Sequence, residues 1–261
     1  MFENESLETP LLNHDFPTRI LGQVSHRPWP IPNAPWLMTQ TWHQLLFAHW
    51  TIDPSELRPK VPSCFELDLF DGAAWVGVVP FHMSNVAPRG VPSLPWVSRF
   101  PELNVRTYVR VGQRPGVYFF SLDAASRVAV KTARALLNLP YQHASMTVHQ
   151  TVGEIHYDSV RTGTAPAEFK GIYKPVGPPF VPVEGSLEYF LTERYCLYHL
   201  DRGGLPYRLE IHHPPWMLQP AEARLARNTM AEASGIALRG QPSLVHFVER
   251  QDAVAWAPKR I

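Results

Sequence analysis

Four polar side chains fall on one face of a single stretch of chain. Residues 101–111 read PELNVRTYVRV, and alternate residues of an extended strand point to opposite sides. Glu102, Asn104, Arg106 and Tyr108 therefore share one face, while Leu103, Val105, Val109 and Val111 share the other with Thr107. A carboxyl can act as acid or base, a guanidinium can hold an anionic group, and an amide and a phenol can supply hydrogen bonds. Glu102 and Arg106 lie roughly 13 Å apart along such a strand, too far for a direct pair, so each needs another partner if buried. Two readings stand side by side. The stripe is the wet face of a half-exposed strand, or it lines an enclosed chamber, because the next strand, residues 117–122, is apolar on both faces.

Other chemistries find less support. An amine nucleophile needs a lysine in a desolvated pocket. The chain has five lysines, Lys60, Lys131, Lys170, Lys174 and Lys259, and each reads as a solvated charge; Lys131 lies off the apolar stripe of its predicted helix. His212 and His213 are adjacent and point apart in a strand, and His143 and His149 sit roughly 20 Å apart along one. No HxH, HExxH or CxxC occurs, so no metal site is expected. No GxSxG elbow, GxGxxG turn or phosphate loop is present, and no cofactor is expected.

These residues must be positioned by a particular kind of chain. It has 261 residues, a net charge of +1, 45% hydrophobic residues and 27 prolines, about twice the usual share of roughly 5%. The balanced charge gives no electrostatic case for nucleic acid or an anionic membrane. No run approaches the roughly 18 apolar residues of a membrane span, and the acidic beginning of the chain lacks a signal pattern, so a cytoplasmic protein is expected. Cys64 and Cys196 read as buried free thiols. Proline punctuation predicts many short elements. Residues 1–35 read as a polar tail, mobile over its first ten or so residues, and a proline-rich lead-in; residues 36–261 read as one domain.

Within that domain Asp53 is expected to cap a short helix with Pro54 in its first position. Asp71-Gly72 marks a hairpin between apolar runs. Residues 124–137 fit a helix capped by Asp123, Ser186 caps another, and residues 228–234 fit a small helix ending at Gly235. Residues 141–152 and 154–161 pair around Gly153. Ten or more strands against three or four short helices predict a mainly β fold of α+β type: a large, mostly antiparallel barrel or sandwich with a few short covering helices.

Three stretches carry a resemblance: residues 42–83 (WHQLLFAHWTIDPSELRPKVPSCFELDLFDGAAWVGVVPFHM), residues 101–110 (PELNVRTYVR) and residues 116–144 (GVYFFSLDAASRVAVKTARALLNLPYQHA). They resemble the DUF2071 family of YqjF-like uncharacterised bacterial proteins, over roughly residues 41–258. That family is distantly similar to acetoacetate decarboxylases, which implies a double-sheet, cone-shaped barrel around an internal pocket and a homo-oligomer. In the decarboxylases a glutamate-bearing strand precedes a hairpin, a helix and a Gly-aromatic-Pro-Lys-Lys turn. The matching order here is Glu102, the strand from Val117, the helix from Ala125, and residues 138–143, NLPYQH. Pro140 matches the family proline, and the lysine positions fall at Tyr141 and Gln142, neither of which can form an imine.

The expectation is thus a barrel whose pocket binds a small organic carboxylate or carbonyl compound. Arg106 would hold an anionic group, with Asn104 and Tyr108 beside it. Glu102, Tyr141 and His143 are the candidate catalytic residues, for a lyase or hydrolase-like activity that forms no Schiff base. Two alternatives remain: an interaction module whose barrel is filled by its own side chains, and a metal-dependent hydrolase.

Overall fold

Long strands and brief helices dominate the chain, as its prolines and β-branched runs require. The computed structural model describes residues 16–93, 98–163 and 165–261. In chain order the strands are β1 (Met38–Ile52), β2 (Glu66–Leu67), β3 (Ala74–Pro88), β4 (Phe100–Val111), β5 (Arg114–Ala124), β6 (Tyr141–His143) and β7 (Ser145–Thr151). They continue as β8 (Glu154–Arg161), β9 (Ala167–Pro175), β10 (Cys196–Leu200), β11 (Pro206–His212), β12 (Gln219–Asn228), β13 (Leu244–Ala255) and β14 (Lys259–Arg260). The α-helices are α1 (Phe16–Leu21), α2 (Pro54–Leu57), α3 (Arg127–Leu136) and α4 (Leu187–Thr192).

Seven strands form a hydrogen-bonded ring in the order β11-β10-β5-β4-β3-β1-β13, closed where Ile211 and His212 of β11 pair with Ala255 and Val254 of β13. From β13 the sheet continues through β12, β9, β8 and β7 as a second layer over the outer face of β1, β3 and β4. Tyr157, Phe169, Tyr173 and Phe247 pack there against Leu46, Val76, Val78, Leu103 and Val105. Leu103 and Val105 are the outward face of β4, which turns Glu102, Asn104 and Arg106 into the ring. The expected double-sheet architecture with short covering helices is the one observed.

A ring this tight needs local breaks in the strand period. The inward side chains of β1 are Met38, Gln40 and Trp42, then Leu45 and Phe47, so the phase changes across Gln44, whose φ is 51°. The inward residues of β3 are Val79 and Phe81, then Val86 and Pro88, with the change at Asn85, φ 53°. On β5 Val117 and Phe119 face in, then Leu122, and the β4–β5 register slips between Val105 and Arg106. These are β-bulges: each adds a residue, bends the strand and moves the following apolar residues back to the wall. Asn85 is tied down by its Nδ2 donating to Thr41 at 3.1 Å and its carbonyl accepting from the Thr39 hydroxyl at 2.8 Å.

Several local expectations hold. Asp53 accepts from the Ser55 amide at 2.7 Å at the start of α2, and Ser186 accepts from Tyr189 at 3.2 Å at the start of α4. Asp71 and Gly72 both take positive φ, and Phe70 and Ala73 exchange two backbone bonds of 3.0 Å, but the hairpin is one bridge long because β2 pairs with β4. Others change. Ser126, not Asp123, caps α3, accepting from the Ala129 amide at 3.2 Å. The β5 bulge sends Asp123 outward between the layers, where Arg161 Nε lies 3.3 Å from its Oδ2. β12 runs through Asn228, leaving only a 3-10 turn at Glu232–Ser234 before Gly235. Cys64 is exposed rather than buried, while Cys196 is buried. The first ten residues lie outside those described. In the lead-in, Phe16 and Ile20 pack against Val254 and Trp256, and Arg27 and Trp29 both donate to Glu210.

The β1 bulge is directly testable, since a non-glycine residue in the left-handed region costs about 1–2 kcal/mol and a β-branched one is worse placed still. Gln44→Val is expected to destabilise by about 1–2 kcal/mol or more in urea unfolding, while Gln44→Gly stays within about 1 kcal/mol of the parent. Equal stability for all three proteins would contradict the bulge.

Candidate functional site

The ring encloses a cavity of about 370 Å³, and Glu102, Asn104 and Arg106 all line it. Two steps of the strand period on β4 place all three there. Aromatic residues from the neighbouring strands and loops, Trp42, Phe47, Phe81, Phe100, Phe119 and Trp216, share the remaining wall with aliphatic side chains such as Leu45, Val79, Leu122 and Ile211. Helix α3 covers one side with Ala129, Thr132 and Ala133. Lining residues with high exposure, Leu37 at 37% and Val128 at 59%, mark the opening.

Arg106 is 9% exposed. Its Nη2 donates to the Leu191 carbonyl at 3.0 Å and more weakly to the Tyr108 hydroxyl at 3.4 Å, and its guanidinium lies 5.0 Å from the Phe47 ring centre. Its Nε is buried without a hydrogen-bond partner. Among the described residues no carboxylate comes within ion-pairing distance of it. Burying a guanidinium without a counter-charge is costly.

A second guanidinium shares the wall, and nothing in the alternation of the chain announces it. Arg194 follows α4 at an irregular break before β10, is 6% exposed and lines the cavity. Unlike Arg106 it is neutralised: its Nη1 reaches Asp68 Oδ2 at 2.5 Å and its Nε donates to the Phe190 carbonyl at 2.6 Å. Burial lowers its pKa, and the Asp68 carboxylate opposes that shift.

Glu102 is 2% exposed and accepts from the Tyr141 hydroxyl at 3.0 Å. Burial pushes its carboxyl up to about 8, against the stabilising bond from Tyr141, so the group is mainly protonated at neutral pH. Burial, and then the neighbouring Glu102, push the Tyr141 phenol well above its usual range. Tyr157 reaches across from the second layer and donates to the Glu102 carbonyl at 2.8 Å, which fixes this part of β4. Asn104 is 5% exposed, and its Oδ1 has no hydrogen-bond partner.

The remaining candidates lie elsewhere. Tyr108 shares the inward face of β4 but is fully buried and not among the lining residues, its hydroxyl 2.7 Å from His49 Nε2. Burial and then the Arg106 charge hold His49 well below its ordinary value, so its ring is neutral. Gly77 leaves room for that ring, since a Cβ there would come within 3.1 Å of it. His143 ends β6 half-buried, paired with Ala124, and is not part of the cavity wall. The five lysines stay outside: Lys60, Lys131, Lys170 and Lys259 are exposed, Lys174 is partly so, and none lines the cavity. Cys196 does line it, with burial raising its thiol to about 12 and leaving it protonated. Among the described residues no three His, Cys, Asp or Glu side chains are placed to hold a metal ion, and no helix is long and apolar enough to cross a membrane.

Known proteins place this geometry in a lineage. The DUF2071 model, described as an uncharacterised conserved protein, matches residues 39–252. The uncharacterised protein YqjF of Bacillus subtilis (strain 168) is 45% identical over 226 residues, 87% of this chain and 93% of its own. An acetoacetate decarboxylase-like enzyme from Sphingomonas wittichii RW1 superposes with a TM-score of 0.61 at 12% identity, covering 90% of this chain and 97% of that one. Acetoacetate decarboxylase from Legionella pneumophila gives 0.60 at 13% identity, covering 100% and 98%. The enduracididine biosynthesis enzyme MppR, complexed with the condensation product of pyruvate and imidazole 4-carboxaldehyde, gives 0.59 at 11%, covering 89% and 92%. At such identities the structural likeness is one of fold. With a family match across most of its length and 45% identity to YqjF over 87% of the chain, it belongs to the DUF2071 family and carries an acetoacetate decarboxylase-like fold.

Proposed function

We propose that the internal cavity binds a small organic carboxylate or carbonyl compound, and that any reaction there proceeds without a lysine imine. The observation that carries this reading is Arg106: a buried guanidinium facing an apolar cavity, with no carboxylate paired to it among the described residues. A ligand carboxylate supplies the missing charge. Glu102, protonated at neutral pH, offers a hydrogen-bond donor or a general acid to a carbonyl oxygen, oriented by its bond with Tyr141. The positions expected to carry the decarboxylase lysines hold Tyr141 and Gln142, and the lysines of this chain lie away from the cavity wall. A cavity of about 370 Å³ speaks against a ring filled by its own side chains.

Three measurements address this reading. In thermal-shift titrations with monocarboxylates, Arg106→Gln is expected to lose at least about tenfold in affinity, the worth of a charge-assisted bond. The neutral substitute leaves no carboxylate stranded, so the fold should survive. Equal stabilisation of both proteins would remove Arg106 from the site.

Glu102 supplies a signed pH effect. Between the ordinary value of 4.5 and about 8 the native protein holds a proton that the unfolded chain has released. Its contribution to stability therefore falls as pH rises through that window and levels off above it. Burial also lowers the pKa of seven histidines, His43, His49, His82, His199, His212, His213 and His246, which bind more protons unfolded and so raise stability with pH around 6.5; the Glu102 effect is therefore read as the difference between the parent and Glu102→Gln. Urea unfolding from pH 6.5 to 8 should show the parent losing stability relative to Glu102→Gln as pH rises. The same slope in both would show the carboxyl to be ionised.

Finally, borohydride treatment in the presence of keto acids is expected to leave the intact mass unchanged. A reduced adduct on any lysine would restore imine chemistry.

A further inference from the structure

The charge count and shape of the cavity say more about its occupant. Two guanidiniums face it, but Arg194 is balanced by Asp68 at 2.5 Å, leaving Arg106 as the one unbalanced cation among the described wall residues. One unbalanced charge suits one carboxylate rather than two. Both guanidiniums are less than a tenth exposed, whereas Leu37 and Val128 at the opening are open to solvent, so the anionic end sits deep and the rest of the molecule extends outward. Along β4 the path passes Asn104 and then Glu102, roughly 13 Å from Arg106. Elsewhere that path is walled by Phe47, Phe119, Leu122, Phe100 and Ala133.

Volume limits the size. At water's share of liquid volume, roughly 30 Å³ for each non-hydrogen atom, about 370 Å³ holds about a dozen such atoms. A short keto acid would leave most of this apolar wall bare.

We infer that the ligand is an amphiphilic monocarboxylate with a single apolar body, a medium-chain alkanoate or an arylalkanoate of about a dozen non-hydrogen atoms, bound carboxylate-first on Arg106 with its body against the aromatic wall. This deepens the reading of Arg106 given above and rests on it. The neutral thiol of Cys196 places no further charge along the channel.

The test is calorimetric titration of the full chain with straight-chain carboxylates from acetate to hexadecanoate, each below its aggregation concentration, at neutral pH. Phenylalkanoates, the matching alcohols and the matching dicarboxylates serve as further arms. Affinity is expected to rise about fourfold per methylene, the gain from burying one such group, until the cavity is full near about ten carbons, and then to stop rising. Alcohols should bind at least about tenfold more weakly, and a second carboxylate should weaken binding. Phenylalkanoates matching or exceeding the best alkanoate would identify an aryl body, still within the proposal. Ala133→Leu, on the inner side of α3, should move the optimum to shorter chains. The profile of the unmodified protein decides the matter even if that variant is unstable. A flat profile that still depends on Arg106 would overturn the apolar-body inference alone. Failure of every carboxylate to bind would overturn the Arg106 reading with it.

Discussion

Everything in this molecule depends on keeping one face of each long strand turned toward a shared interior while the strands curve into a ring. A regular strand cannot do this over its whole length, because curvature carries its side chains out of phase with the wall. The bulges at Gln44, at Asn85 and in β5 opposite Val105 reset that phase. They allow Trp42 and Phe47, or Phe119 and Leu122, to serve the same cavity from positions an odd number of residues apart. Two of the breaks put a non-glycine residue in the left-handed region, so the ring carries a conformational cost that the apolar wall offsets.

That wall changes the meaning of the polar groups set into it. In a low-dielectric enclosure a carboxyl relinquishes its charge, as Glu102 does, while a guanidinium keeps it and depends on counter-charges nearby. β4 holds both outcomes on one face. Arg194 shows what a satisfied cation looks like in this wall, held by Asp68 and by the Phe190 carbonyl. Arg106, a few side chains away, has only a backbone carbonyl and a phenol. The contrast between two like residues in one environment is what gives the cavity its chemical character.

The parts legible in the chain are those written in periodicity and local caps. That the β4 stripe shares one face follows from strict alternation, the α2 and α4 starts from Asp53 and Ser186, and the tight turn from Asp71-Gly72. The parts that were not legible depend on breaks in periodicity or on distant partners. Asp123 looks like a cap because it precedes a helical pattern, but the β5 bulge turns it toward Arg161, thirty-eight residues away in the second layer. Arg194 joins the cavity only because β10 lies parallel beside β5 and Asp68 arrives from the β2–β3 connection, and no local pattern records either event. Tyr141 meets Glu102 because β6 pairs in parallel with the end of β5, whereas His143, two residues on, falls outside the wall.

Closing the ring also consumes most of the sheet's bare margins. Strand β7 is left at the end of the second layer, with Ser145, Thr147, His149, Gln150 and Thr151 exposed along it. Paired on one side with β8, it leaves its other edge open; such an edge invites annealing with a neighbouring molecule, and hydrophilic side chains make that annealing less rewarding. The same topology that walls in an oily chamber thus confines its stickiness to the inside, and presents a wettable border to the crowded solution around it.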